Sequence, residues 1–183
     1  PTQTTGAAFA TGRMVTDAST YATPLAQLKA GTAIVNADAI KNALIGNVGG
    51  TIGETCAIAL IIGGIYLLVK HVISWRIPVV YIVVVFILTS LMRGNGFLGG
   101  VYEIFCGGLM LGAIFMATDY VTSPISAKGQ IIFAIGCGVL TSLIRVYGGY
   151  PEGVSYSILI MNLAVPLIDR VTRPRIFGEV KAK

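Results

Sequence analysis

Five apolar blocks follow one another along the second half-and-more of this chain: Cys56–Val69, Ile77–Met92, Phe97–Thr118, Gly129–Ile144 and Gly153–Ile168. Short polar, Gly or Pro breaks separate them. Apolar runs of this length, punctuated in this way, predict helices that cross a bilayer. A spanning helix needs roughly 17–25 residues, and several blocks are a little short as uncharged runs. They reach full length if Thr55, Lys70, His71, Arg145 and Asp169 sit at the interfaces and extend their polar ends outward. The pattern therefore predicts an all-α membrane protein with about five transmembrane helices.

The first 48 residues read differently. Pro1 to about Val48 is polar and rich in Thr, Ala and Gly. Within it, Ala22–Leu28 and Asn36–Ile45 have the pattern of short helices. Thr23 and Asn36 stand at their N-caps, and Pro24 takes the first helical position. The expected organisation is 1–48 as an extracytoplasmic segment lying on the membrane domain, 49–170 as the helical domain, and 171–183 as a basic cytoplasmic tail. The chain starts at Pro1, with no signal-peptide pattern ahead of the polar segment. A longer parent with a helical N-terminal half is expected.

Composition removes the main alternative. Charged residues make up 11% of the chain and hydrophobic residues 55%, against about 25% charged in an ordinary soluble domain. Five buried helices of a soluble core would leave too little polar chain to cover them. The net charge of +5 then reads as topology. With the N-terminus outside and five spans, only Arg13, Lys29, Lys41, Arg93 and Arg145 of the 13 Lys and Arg fall outside. Lys70, Arg76, Lys128, Arg170, Arg173, Arg175, Lys181 and Lys183 fall inside, as cytoplasmic loops require. Basic residues split over both faces exclude a nucleic-acid surface.

Cys56, Cys106 and Cys137 lie in or at apolar blocks without a CxxC spacing, so they read as small packing residues rather than metal ligands. Gly49/Gly53, Gly96/Gly100 and Gly108/Gly112 have the spacing that lets helices approach closely. Glu103 lies within the third block, where an acid is a functional candidate by default. Glu54 opens the first block, as a helix-terminal acid or part of a flavin or ion path. Asp119 with Thr122-Ser123-Pro124 reads as a capped turn or a cofactor contact. His71 and Trp75 read as interfacial residues.

One stretch of the polar segment remains: Asp17-Ala18-Ser19-Thr20-Tyr21-Ala22-Thr23-Pro24-Leu25. It resembles the flavinylation motif recognised by an FMN transferase, roughly D-x-x-[ST]-G-A-T, with Tyr21 at the Gly position. Downstream stand Gly49-Gly50-Thr51-Ile52-Gly53-Glu54-Thr55, Gly63-Gly64-Ile65-Tyr66-Leu67, Ser74-Trp75-Arg76-Ile77-Pro78, Thr118 to Pro124, Ile144 to Gly153, and Asn162 through Pro166 to Arg170. Together and in this order they resemble the C-terminal half of the NqrB/RnfD family, closest to its RnfD branch from the Rnf ion-translocating electron-transport complex, over about residues 14–178.

The resemblance implies one FMN joined by a phosphoester to Thr23, with Asp17 as a recognition residue for the flavin transferase. It implies electron relay inside a multi-subunit complex of the inner membrane that couples ferredoxin oxidation and NAD reduction to sodium or proton movement. It leaves room for a second, non-covalent flavin such as riboflavin, and assigns no catalytic residue and no metal to this chain. Arg145, on the outer side by charge count, is placed to contact a flavin phosphate or to anchor its helix end. Two other readings are open: the NqrB component of a sodium-pumping NADH:quinone reductase, and a non-redox transporter module of short, Gly-interrupted helices.

Overall fold

The computed structural model describes residues 23–31, 35–50, 53–94, 96–149 and 152–172. Every regular element among them is helical. Two short helices come first: α1 (Pro24–Lys29) and α2 (Ala37–Ile45). They are followed by α3 (Ala57–Val69), α4 (Arg76–Arg93), α5 (Gly96–Phe105), a three-residue α6 (Leu109–Leu111) running into a π-helical turn over Gly112–Met116, α7 (Ala127–Tyr147) and α8 (Val154–Thr172). All five apolar blocks are helical in the expected order, and both short helices of the polar segment form.

Their lengths differ. Helices α4, α7 and α8, of 18, 21 and 19 residues, are each long and apolar enough to cross a membrane. Helix α3 has 13 residues, about 20 Å of rise, short of a hydrocarbon core of about 30 Å. The third block is not one straight helix. It breaks at Cys106–Gly108, and its two parts meet at 67°. The cause is local: Gly107 takes φ +72°, a left-handed conformation that ends a helix and that glycine adopts without steric cost. The second part then contains a π turn, with Ala117 N–H donating to Gly112 O at 2.8 Å. The five expected full-length spans thus become three full helices, one broken span and one short helix.

Polar contacts fix the directions. Ser74 Oγ donates to Gln130 Oε1 at 3.1 Å near the start of α4 and α7, Tyr81 and Thr141 share a 2.6 Å hydroxyl bond midway, and an Arg93 guanidinium N–H donates to the Arg145 carbonyl at 3.0 Å at their ends. Helices α4 and α7 therefore run parallel. The Ser126 hydroxyl before α7 donates to Thr172 Oγ1 at the end of α8 at 2.7 Å, so α8 returns antiparallel. The broken third block starts beyond Arg93 and ends at Tyr120, whose hydroxyl donates to the Val72 carbonyl before α4. It carries the chain from one end of α4 back to the other.

Close approach needs small residues. A Cβ on Gly138 of α7 would stand 2.6 Å from Val84 of α4, and one on Gly64 of α3 would stand 2.9 Å from Ile114. Of the spaced pairs, Gly100 and Gly112 sit at tight helix contacts, whereas Gly53 and Gly96 have open space and positive φ, and so serve turns. The core between helices contains Tyr81, Val85, Leu109, Ala113, Phe133, Cys137 and Ile158. Thr89, Glu103, Thr141, Ser142, Arg145 and Ser157 are buried with it, while Ile62, Leu91, Leu159, Leu163 and Leu167 face outward. Buried polar groups beneath an apolar outer surface suit lipid, not water, as the surrounding solvent.

Candidate functional site

Helix α1 is short, so its position depends on what it packs against. Thr23 caps it: Oγ1 accepts from the Ala26 N–H at 3.3 Å, and Pro24 follows at the first position. Leu25, 1% exposed, packs with Tyr102 and Cys106 of the third block. Lys29 Nζ donates to the Gly148 carbonyl in the α7–α8 turn. The segment carrying Thr23 thus lies on the end of the bundle where α4 and α7 finish. Asp17 lies outside the described residues.

Thr23 opens on a small cleft lined with Gly49, Gly50, Glu54, Cys106, Gly107 and Glu152. Its free volume of about 20 Å³ admits about one water molecule. A second hollow, of about 200 Å³, shares Glu54 and Glu152 and is walled by Gly108, Leu111, Val154 and Tyr156. The helix break at Gly107–Gly108 stands against both. Glu152 holds that break in place by accepting the Gly108 N–H at 3.2 Å on Oε2. Burial, and then the neighbouring Glu54 carboxylate, push Glu152 above the usual carboxylate range, with the Gly108 N–H and Arg145 opposing.

A carboxyl with a raised pKa binds more protons folded than unfolded, so stability falls as pH rises from the ordinary carboxylate range through the raised value. Glu152→Gln keeps an acceptor for Gly108 and removes the titration. Thermal stability measured across that pH range should decline less in the variant than in the wild type. Identical slopes would show that Glu152 titrates normally.

Beneath the cleft lies a buried charge cluster. Arg145, at 0% exposure, donates from Nη1 to the Glu103 carbonyl at 2.8 Å and from Nε to the Glu152 carbonyl at 3.3 Å. The Glu103 carbonyl lies in the last turn of α5, where the break leaves the helix without onward donors. Glu103, 1% exposed, pairs through Oε1 with Arg93 Nε at 2.7 Å. Arg145 therefore joins the broken span to the α7–α8 turn through Nη1 and Nε, while its Nη2 is buried without a hydrogen-bond partner among the described residues. The sequence shows Arg145 and Glu103 as single residues. It gives no sign that Arg93, Glu103, Arg145 and Glu152 converge, because three helices and a turn supply them.

The remaining candidates lie elsewhere. Asp119 accepts from Thr122 Oγ1 at 3.2 Å, and its carbonyl accepts from the Ser123 N–H at 3.2 Å. This is the capped turn, at the bundle end remote from Thr23. His71, with φ 54°, turns the chain between α3 and α4 at that same remote end. Cys106 and Cys137 are buried packing residues, and Cys56 reaches the Leu44 carbonyl with its sulfur at 3.7 Å. No group of three or more metal-ligating side chains occurs among the described residues.

The chain's relatives bear on what this arrangement serves. The sequence model of the NQR2, RnfD, RnfE family matches residues 1–178. The chain is 52% identical over 170 residues to the D component of the Na(+)-translocating ferredoxin:NAD(+) oxidoreductase complex of Acetobacterium woodii, covering 92% of this chain and 52% of that protein. It is 55% identical over 141 residues to the D component of the proton-translocating ferredoxin:NAD(+) oxidoreductase complex of Clostridium ljungdahlii, covering 75% and 43%. It is 46% identical over 145 residues to the D component of the ion-translocating oxidoreductase complex of Stutzerimonas stutzeri, covering 76% and 40%. The chain spans about half the length of the curated relatives it matches.

Proposed function

The chain belongs to the NQR2, RnfD, RnfE family, and we propose that it serves as part of the RnfD component of an Rnf-type complex, carrying a covalent FMN on Thr23 that relays electrons coupled to ion movement. The observation that supports this most is the motif Asp17 to Thr23 ending on a threonine that opens at a cleft mouth against the bundle. Relatives at 52% and 55% identity are named for sodium and for protons, so the ion here is one of the two. The flavin-bearing end is extracytoplasmic and the Arg170–Lys183 end cytoplasmic in this reading, on the strength of the charge bias.

The residues at Thr23 fit an ester linkage in a restricted way. Thr23 is half-buried, and Gly49, Gly50 and Gly107 leave the cleft mouth without bulky side chains. A volume of about 20 Å³ has no room for a three-ring isoalloxazine, and two carboxylates line it. Thr23 would hold the phosphoester, with the rings lying outside this cleft. Bound there, the flavin supplies one- and two-electron redox chemistry. The chain's own residues position it: Leu25 and Lys29 fix α1, and Arg145 and Glu152 fix the break beneath. An unactivated threonine hydroxyl is a poor nucleophile, so a separate flavin transferase makes the bond.

Affinity purification of the full-length protein under mild detergent tests the reading. Flavin absorbance, together with co-eluting membrane subunits that carry flavin or iron–sulfur centres, is the expected result, with no activity in the isolated chain. A colourless protein that purifies alone and moves a solute in vesicles would establish the transporter reading instead.

A further inference from the structure

The end of the bundle remote from Thr23 carries a second pair of hollows. The first, of about 410 Å³, is lined by His71, Ser74, Trp75, Arg76, Tyr120 and Gln130 among others. The second, of about 200 Å³, is a groove between α3, α4 and the π turn, walled by Ile61, Gly64, Leu68, Val79, Met110 and Ile114. Ile73 is a wall of both, so the polar hollow runs into the apolar groove. Among the described residues, no carboxylate lines either one. Arg76 is half-buried and forms no ion pair with any described residue. Lys70 precedes His71 in the chain, with its ammonium 5.9 Å from the Tyr66 ring centre, and Trp75 is 60% exposed.

The chain leaves α3 at Val69 and reverses through His71 in a left-handed conformation. The 70–75 turn lies level with the starts of α4 and α7, where Ser74 donates to Gln130, and the hollow lies against it. The groove beside it opens sideways through Ile65 and Val79, 54% and 46% exposed. An occupant that fits these linings is apolar along the helices and anionic at the turn.

We propose that the Lys70–Arg76 turn and the α3–α4 groove form a binding site for one anionic phospholipid. Arg76 and Lys70 take the phosphate charge, Ser74, Trp75 and Gln130 surround the headgroup, and one acyl chain lies along Ile61, Gly64 and Val79. Basic pockets between helices at a membrane edge take anionic headgroups in this way. Gly64 keeps the groove open, because a side chain there would meet Ile114.

Photoreactive phosphatidylglycerol and phosphatidylcholine, each with a diazirine acyl chain, test the site in the full-length protein within its complex in vesicles. After irradiation, labelled peptides from α3 and α4 are quantified. Phosphatidylglycerol should label Val79 and its neighbours about thirtyfold more than phosphatidylcholine, as two basic residues predict. The Lys70→Gln/Arg76→Gln protein should lose that preference while phosphatidylcholine labelling stays level. Val79→Trp fills the groove and should abolish labelling of α3, with the complex still eluting intact. Equal labelling by both lipids would show only an unselective lipid annulus and overturn the proposal. Displacement by inorganic phosphate at the same headgroup concentration would mark a free-phosphate site and overturn it too. Protection of the groove by another protein of the assembled complex would mean that a helix, not a lipid, occupies it.

Discussion

Replacing Arg145 by methionine is expected to destabilise the fold by about 3–5 kcal/mol, the cost of removing one member of a buried charged cluster. Methionine preserves length and apolar bulk, so the loss isolates the guanidinium. Two backbone carbonyls, those of Glu103 and Glu152, lose their donor. Each unsatisfied buried group costs about 1–3 kcal/mol. Glu103 keeps Arg93, 2.7 Å away, so the damage falls on the joint between the broken span and the α7–α8 turn. Arg145→Lys should recover only part, because one ammonium cannot present two donors in a planar fork. Thermal unfolding of the purified full-length variants measures both. A melting temperature for Arg145→Met equal to the wild type would show that the clamp contributes nothing.

Thr23→Val is expected to remove covalent flavin entirely while the helices remain folded. Valine keeps the branched shape at the start of α1 and deletes the only atom that can carry the ester there. The lost cap bond to Ala26 costs about 1 kcal/mol, which is local to a six-residue helix held by Leu25 in the core. Fold loss and attachment loss are therefore separable. Thr23→Ser retains a hydroxyl and should be modified in part. Asp17→Ala should lower attachment by weakening transferase recognition, with the acceptor intact. In a denaturing gel the wild-type band should fluoresce and the Thr23→Val band should be dark, with both proteins eluting alike in detergent. A fluorescent Thr23→Val band would place the flavin on another hydroxyl, and Tyr21 at the motif's Gly position is where the register would then need redrawing.

Most of the architecture was legible in the sequence because lipid imposes a simple rule: runs of apolar residues become helices. The α1 start at Thr23-Pro24 was legible from capping chemistry alone. The break inside Phe97–Thr118 was not, although Cys106-Gly107-Gly108 marks it in hindsight. Glycine is common in membrane helices and usually serves packing, as Gly112 and Gly138 do here, so a glycine that takes a positive φ looks no different in sequence. The length of α3 differs from expectation for a related reason. Lys70 and His71 were expected to extend that span by reaching outward, whereas the chain turns at His71. The Arg93–Glu103–Arg145 cluster depends on which ends of α4, α5 and α7 meet, and that is a property of topology that no local pattern encodes. Glu152 lies in the Ile144–Gly153 stretch, but an acid in a turn is ordinarily solvated, so its bond to the Gly108 N–H was not legible there.

The measurement that bears most directly on the proposed function is the mass of the tryptic peptide Met14–Lys29 from the full-length protein. It contains Asp17, Thr16, Ser19, Thr20 and Thr23, and fragmentation assigns any adduct among the hydroxyls. The expected result is a peptide heavier by one FMN less one water, with the added mass on Thr23. An unmodified peptide from protein made together with its flavin transferase, or an adduct on Ser19 or Thr20, would contradict it.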